Sequence, residues 1–350
     1  VSAGLVAAPS AVEAVARGRV RRASRRRLVV LVLAVLVVAL YAVTLMVGRT
    51  FYPPGDVLRV VLGQDVAGAS FTVGRLRLPR ATLAVVAGLS FGLSGVTFQT
   101  MLRNPLASPD VIGISTGASA AAAVAIVVLG LGGTAVSAFA IVAGLVVALV
   151  IYLLAYKDGG AGTRFILIGI GMAAMLHSVI AYVLSRAGQW DLQEASRWLS
   201  GSLNGVTWER VLPALVVLVL LGPVLLALTR DLGAVQLGDD TAAALGVRVE
   251  RTRVAALVAA VAIIAFATAA CGPIAFVAFL AGPIAARIVG PNGSLLVPAA
   301  LVGAVLVLVA DLCGQYAFGT RFPVGVITGV LGAPYLIYLI ARTNRAGGSL

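Results

Sequence analysis

Apolar stretches as long as a lipid bilayer is thick recur along this sequence, and they restrict its fold more than any other feature. The clearest runs from Ala81 to Leu102, about 22 residues without a charge. As a helix rising ~1.5 Å per residue it crosses the ~30 Å hydrocarbon core. Comparable runs lie at about 28–47, 111–130, 133–156, 164–185, 210–229, 254–271, 274–289, 295–315 and 324–341, giving ten candidate spans. In hydrocarbon each backbone N–H and C=O must be satisfied within its own segment, so runs of this length fold as helices. The expected fold class is an all-α polytopic membrane protein of about ten transmembrane helices. The run at 274–289 is the shortest, and Gly282 with Pro283 interrupts it, which suits a discontinuous helix beside a cavity.

Composition removes the soluble alternative. Hydrophobic residues make up 61% of the 350 and charged residues 11%, too little polar surface to coat a water-soluble globule. The net charge of +13 would suit nucleic acid if the basic residues shared one soluble face. They stand in short flanks between apolar runs instead, so the lipid bilayer and its anionic headgroups are the expected partner and nucleic acid is not. Cys271 and Cys313 have no Cys-x-x-Cys or Cys/His spacing and read as core packers. His177, the single histidine, lies mid-span without companion ligands, so an interhelical hydrogen bond is expected in preference to a metal site or a pathway role. No Ser/His, Asp/Asp or His-Glu-x-x-His set occurs at helical spacing, so no residue is assigned to catalysis.

Charge orients the chain. Residues 1–27 carry seven arginines and lack the apolar content to fold alone, reading as a cytoplasmic tail. The run Leu28 to Val47 exceeds the apolar core of a signal peptide, and GRTFYPPG after it has no A-x-A site, so it is expected to remain as the first span. An even number of spans places both termini in the cytoplasm, with a membrane domain at 28–345 and a short tail at 346–350. Seventeen of the 26 basic residues then fall inside, as the positive-inside rule requires. The outer segment 48–80 holds Tyr52, Pro53 and Pro54, which favour turns and extended structure. Between Gln189 and Glu209, Leu192, Ala195, Leu199 and Leu203 recur at helical spacing among all three tryptophans, as in a short helix at the outer interface.

Within this frame several groups stand out. Gly88, Gly92, Ser94 and Gly95 allow neighbouring helices to approach closely. Gln99, an amide in hydrocarbon, must find a partner or face a cavity. Asp311 must face protein or water, tying helices together or meeting substrate. Arg75, Arg77 and Arg80 stand at the outer mouth against the inside bias, and two uses are open: snorkelling to lipid phosphates, or pairing with carboxylates of another protein. The largest inner polar stretch, about 230–253, contains LGDDTAAALGVRV. There Gly238 breaks the chain, Asp239, Asp240 and Thr241 suit a helix start, Ala243 and Leu245 belong to a small-surfaced turn, and Gly246 ends it. No G-x-x-x-x-G-K-[ST] occurs, so any ATP-driven step needs a separate ATPase.

The order RLPR at Arg77–Arg80, the Gly/Ser-rich helix, Gln99, RNPLA at Arg103–Ala107 and G-I-S-x-G at Gly113–Gly117 resembles the FecCD-type permeases. These are membrane subunits of ATP-driven importers for iron-siderophores, haem and cobalamin. The likeness continues through LGxxxxxxLG at Leu237–Gly246, GPIAF at Gly272–Phe276 and PVGVITGVLGAP at Pro323–Pro334. It implies a type II ABC importer permease fold in a bacterial cytoplasmic membrane, working with a second permease subunit, identical or related. Two ATP-binding subunits and an extracytoplasmic substrate-binding protein complete the implied assembly. ATP and Mg belong to the ATPase, and this chain holds no cofactor or metal. The resemblance makes Leu237, Gly238, Asp239, Asp240, Ala243, Leu245 and Gly246 the ATPase-coupling segment and gives docking of the binding protein to Arg77 and Arg80. The family arginine four residues after the Asp of the ninth span is Gln315 here, and Arg321 is expected to substitute. Gln99, Ser115 and Thr116, with Gly162 and Thr163 at the inner neck, are the expected path residues. Gly162 departs from the hydroxyl expected at its position. Ferric siderophore is the favoured cargo, with cobalamin or haem as alternatives. A secondary transporter working without ATP would need acidic or histidine coupling sites, and only Asp311 and His177 are present.

Overall fold

The computed structural model describes residues 11–110, 112–155, 162–290 and 293–345. The expected tail segments 1–10 and 346–350, and Lys157, lie outside them. Every described apolar run forms a helix, and no strand is present among the described residues. Seven helices are long and apolar enough to cross a membrane. Three apolar stretches are shorter, Ile114–Val127, Val277–Val289 and Val324–Tyr338.

In chain order the helices are α1 (Ala11–Met46), α2 (Pro54–Val61), α3 (Leu78–Met101), α4 (Ile114–Val127), α5 (Gly133–Ala155) and α6 (Gly162–Ser185). There follow α7 (Gln189–Leu199), α8 (Trp208–Ala227), α9 (Thr229–Val235), α10 (Asp239–Ala244), α11 (Val249–Cys271), α12 (Val277–Val289), α13 (Leu296–Tyr316) and α14 (Val324–Arg345). The amphipathic segment predicted after Gln189 is α7, with Ala195 turned inward and Trp190 exposed.

Three expectations are corrected. The basic stretch after Ala11 is helical and continuous with the first span. Its Ala, Arg and Val residues extend a helix that the span has already nucleated, so only propagation is needed. The segment 48–80 is largely helical rather than extended. Pro53 is extended (φ −65°, ψ 154°) but serves as the N-cap of α2, and Pro54 takes the first position, where its missing N–H costs nothing. A π-helical turn over Ser70–Arg77 then runs into α3, just ahead of Pro79, which has no N–H for a regular ladder. Finally, the discontinuity near 274–289 lies before Gly282 and Pro283, which are inside α12. The break is the turn between Gly272 (φ 76°) and Phe276 (φ 65°).

α3 is the axis of the bundle, 83% of its most apolar 18-residue stretch being buried. The predicted small residues explain how. A Cβ on Gly88 would lie 2.5 Å from Ala304 Cα, one on Gly92 2.3 Å from the Ala299 carbonyl oxygen, and one on Gly95 1.8 Å from that of Ala278. α13 and α12 therefore lie backbone to backbone against α3, where van der Waals packing must replace a hydrophobic driving force. Phe91 and Phe98 fill the remaining space and are fully buried. Cys271 is buried in this core and Cys313 packs on its edge.

Candidate functional site

Two clusters of polar residues form at opposite ends of the bundle. At one end, α9 and α10 project between α8 and α11. Gly238 adopts φ 112° and Gly246 φ 85°, so glycine fits both turns that bound α10. Ala242 is buried, while Ala243 and Ala244 are exposed between Leu237 and Leu245, 65% and 64% exposed. The result is a compact knob with two free leucines at its edges. The helix start carries no side-chain cap, and Asp239 stands in its first turn with Asp240, as expected. Asp239 Oδ1 accepts from Arg253 Nη2 at 2.7 Å and from Arg103 Nη2. Two guanidiniums outcompete a backbone N–H for one carboxylate, because a charge-assisted bond is about twice as strong as a neutral one.

Arg103 is delivered by the RNPLA loop. It holds φ 51°, its N–H donates to the Thr100 carbonyl, and Asn104 Oδ1 caps the following turn through the Leu106 N–H at 2.8 Å. The α10 knob is thereby fastened to the end of α3 and the start of α11. Sequence reading recognised the knob and missed the fastening, because Arg103 and Asp239 are 136 residues apart.

Beside the fastening, Gln99, Arg103, Gln236, Gly282 and Pro283 line a cavity of about 350 Å³. Gln99 both lines it and finds a partner. Its Nε2 donates to the Phe279 carbonyl at 2.9 Å. That carbonyl is four residues before Pro283, so it is the acceptor left free by the missing proline N–H. Gly282 completes the fit, since a Cβ there would fall 1.9 Å from Gln99 Oε1.

Ser115 and Thr116 are buried in the first turn of α4, away from that cavity. Ser115 Oγ donates to Asp110 Oδ1 at 2.6 Å, and Asp110 Oδ2 is buried with no partner among the described residues. Burial pushes the Asp110 carboxyl up to about 6, against the opposing effect of the Ser115 hydroxyl. Gly162 and Thr163 open α6, and their side chains lie outside the described residues. His177 is exposed on α6, so the interhelical bond expected of it is not formed among the described residues.

At the other end the predicted arginines divide. Arg77 turns inward: Nη1 donates to the Leu45 and Met46 carbonyls at 2.9 Å, Nη2 to Thr50 at 2.7 Å, and the guanidinium stacks over Tyr52. It closes the C-terminus of α1, whose last carbonyls have no helical partner. Arg80 grips Asp311 through two bonds, Nε to Oδ2 at 2.9 Å and Nη2 to Oδ1 at 2.7 Å, and donates from Nη1 to Asn204 Oδ1 at 2.6 Å. Gln315 Nε2 adds a bond to Asp311 Oδ2 at 2.8 Å. Asp311 thus ties α13 to α3, one of the two uses open to it.

Arg80 and Arg321 nevertheless share a crevice of about 520 Å³, together with Arg197 and Asn204. Arg197 also lines an adjoining cavity with Arg210, Glu194 and Trp190. No local signal in the sequence marks Arg197, on α7, as a neighbour of Arg80 and Arg321, because a close backbone junction brings them together. Gly201 and Gly325 make that junction: the Gly325 N–H donates to the Gly201 carbonyl at 3.0 Å, and a Cβ on Gly325 would meet the Ser200 carbonyl oxygen at 2.1 Å.

Comparison with known proteins agrees with this architecture. The model of the FecCD transport family matches residues 32–342. The ferric enterobactin transport system permease protein of Escherichia coli is 40% identical over 299 residues, covering 85% of this chain and 91% of that protein. The achromobactin transport system permease protein of Dickeya dadantii is 38% identical over 314 residues, 89% and 90% of the two chains. A cobalamin import system permease protein of Halobacterium salinarum is 33% identical over 274 residues, 78% and 74% of the two. Among solved structures, a chain assigned to the metal-chelate type of ABC transporter, in an inward-facing conformation, superposes with a TM-score of 0.80 at 26% identity. It covers 89% of this chain and 98% of that one.

Proposed function

Because this chain belongs to the FecCD transport family and is an ABC importer permease, we propose that it carries ferric siderophores across a cytoplasmic membrane as one half of a permease pair. Two separate ATPases would drive it and an external binding protein would feed it. The observation that carries the reading is the α10 knob, from Leu237 to Gly246. Two exposed leucines flank a small-residue surface, and Asp239 braces the knob to α3 and α11. A rigid apolar projection docks into a groove with little ordering cost, and its brace leads directly to the central helix. ATP-driven movement of the ATPases would reach α3 by that route.

This assignment puts the α10 end in the cytoplasm and the α7 end outside. On the outer face, Arg80, Arg197 and Arg321 around one crevice suit carboxylates of the binding protein, while Arg77 holds α1 and α3 together. The second subunit would lie against α6, whose most apolar 18-residue stretch is only 11% buried and on which His177 and Ser178 are exposed. Polar groups of that kind favour a protein or water neighbour over lipid. The path would then run between the subunits along α6, with Gly162 and Thr163 at its neck and Ser115 and Thr116 on α4 behind it. The favoured cargo follows the higher identity to relatives named for siderophores, with cobalamin as the second reading.

The test is substitution of Ala243 and Leu245 by aspartate in the complex purified with its ATPase. Loss of the ATPase from a folded permease supports the reading; retention of full ATPase binding overturns it. Arg197→Glu with Arg321→Glu is expected to abolish stimulation of ATP hydrolysis by the binding protein without releasing the ATPase.

A further inference from the structure

α1 changes character within a single turn. From Ala14 to Gly55 the sequence contains no acidic residue, and within α1 the arginines stop at Arg27, where an apolar run begins. Arg22, Arg26 and Val30 follow one another at intervals of four, as do Arg27 and Leu31, so both rows of arginine lead into an apolar residue on the same helix face. With Val297 at the start of α13 they line a cavity of about 790 Å³, arginines at one end and aliphatic side chains at the other. Nine residues separate Arg22 from Leu31, about 13 Å along the helix. That matches the step from a phosphate group to the upper acyl chain.

The cavity is built rather than incidental. Arg26 Nη2 donates to the Ser294 carbonyl and Arg25 Nη2 to the Ile288 carbonyl at 3.2 Å, which ties α1 to the end of α12 and to the residues just before α13. Gly293 has no Cβ to obstruct this, since one would lie 2.2 Å from Arg26 Nη1. Arg22 and Arg27 are exposed, and no carboxylate pairs with Arg22, Arg26 or Arg27 among the described residues. Charge and apolar surface therefore meet here in the order that a phospholipid presents them.

We propose that this groove is a binding site for one anionic phospholipid, its phosphate held by Arg22, Arg26 and Arg27 and one acyl chain laid between Leu31 and Val297. Three guanidiniums without a carboxylate partner favour a headgroup with net negative charge over a zwitterionic one, and the aliphatic half favours a lipid over a soluble phosphate. The bound lipid would brace the link between α12 and α13, two helices that meet α3 at its glycines.

The test uses the full-length chain purified in detergent, delipidated, and offered phosphatidylglycerol, phosphatidylcholine or glycerol 3-phosphate, with retention read by native mass spectrometry. The wild-type chain is expected to retain one phosphatidylglycerol in preference to phosphatidylcholine, and glycerol 3-phosphate is not expected to displace it. Each arginine near an anionic headgroup contributes about fivefold in affinity, so Arg22→Gln with Arg27→Gln is expected to weaken retention about 25-fold. Val297→Trp, which fills the apolar half with all arginines intact, is expected to weaken it as well. Equal retention of both lipids by the wild-type chain overturns the proposal. So does displacement by glycerol 3-phosphate, or retention unchanged in Val297→Trp.

Discussion

Removing Arg80 alone strands a charge. Its guanidinium meets both oxygens of Asp311, and the Asp311 side chain is only 2% exposed against 14% for Arg80. At ~4 Å between charges and an effective dielectric of ~20, the attraction is about 4 kcal/mol. Losing one partner of such a pair costs about 3–5 kcal/mol, because the other stays buried and uncompensated. Gln315 still donates to Asp311 after Arg80→Gln, which places that variant near the lower bound, about 3 kcal/mol. Asp311→Asn costs less, about 2 kcal/mol, since Arg80 stands near the mouth and its long side chain can swing to water. Together the two substitutions leave a neutral, hydrogen-bonding pair and cost about 2 kcal/mol, a coupling of about 3 kcal/mol. Unfolding of the four proteins by SDS titration in mixed micelles, followed by helicity, measures this cycle. Costs that simply add, with coupling below about 0.5 kcal/mol, would refute the claim that this pair joins α3 to α13. The double variant also lacks one docking charge, so reduced stimulation by the binding protein in a refolded double variant separates the two roles of Arg80.

Three further outcomes follow from the geometry. Gly95→Leu drives a side chain into the Ala278 carbonyl and is expected to abolish a monodisperse peak in size-exclusion chromatography, whereas Gly222→Ala, whose nearest neighbours are side-chain carbons at 3.7 and 3.9 Å, is expected to be tolerated. Gln99→Leu leaves the Phe279 carbonyl without its donor, at about 1–3 kcal/mol, and adding Pro283→Ala is expected to recover part of that loss by restoring the helical N–H; no recovery in the SDS titration would contradict the pairing of Gln99 with the proline gap. Asp110, with its carboxyl raised from 3.8 to about 6, holds its proton more tightly folded than unfolded. Its contribution to stability is therefore full below about pH 4 and is lost as pH rises through about 6, and Asp110→Asn is expected to remove that slope.

How far the sequence foretold this structure differs between its parts, for physical reasons. Apolar length and the need to satisfy every backbone group make the helices of a membrane bundle legible, though not their exact ends, and the glycines of α3 announced its close neighbours. The α10 knob was legible too, because Gly238 and Gly246 are local signals. Long-range pairing was not. A carboxylate in the first turn of α10 gives no sign that Arg103 and Arg253 will arrive from elsewhere to hold it, and nothing near Arg77 says that it will turn back to the end of α1. Gln99 was visible as a polar group needing a partner, and Pro283 as a helix interruption. That each answers the other appears only when α3 and α12 are laid side by side. Segment 48–80 was misread because prolines favour both turns and helix starts, and the position that decides between them is set by packing.

The central claim, that ATP hydrolysis outside this chain moves a ferric siderophore through it by way of α10, is tested most directly by uptake of ⁵⁵Fe-siderophore into proteoliposomes. These would contain the permease pair, its ATPases in the lumen with ATP, and the loaded binding protein outside. The account predicts uptake that requires ATP and the binding protein and is lost with Ala243→Asp and Leu245→Asp. Uptake that proceeds without ATP, or survives those substitutions unchanged, would contradict it.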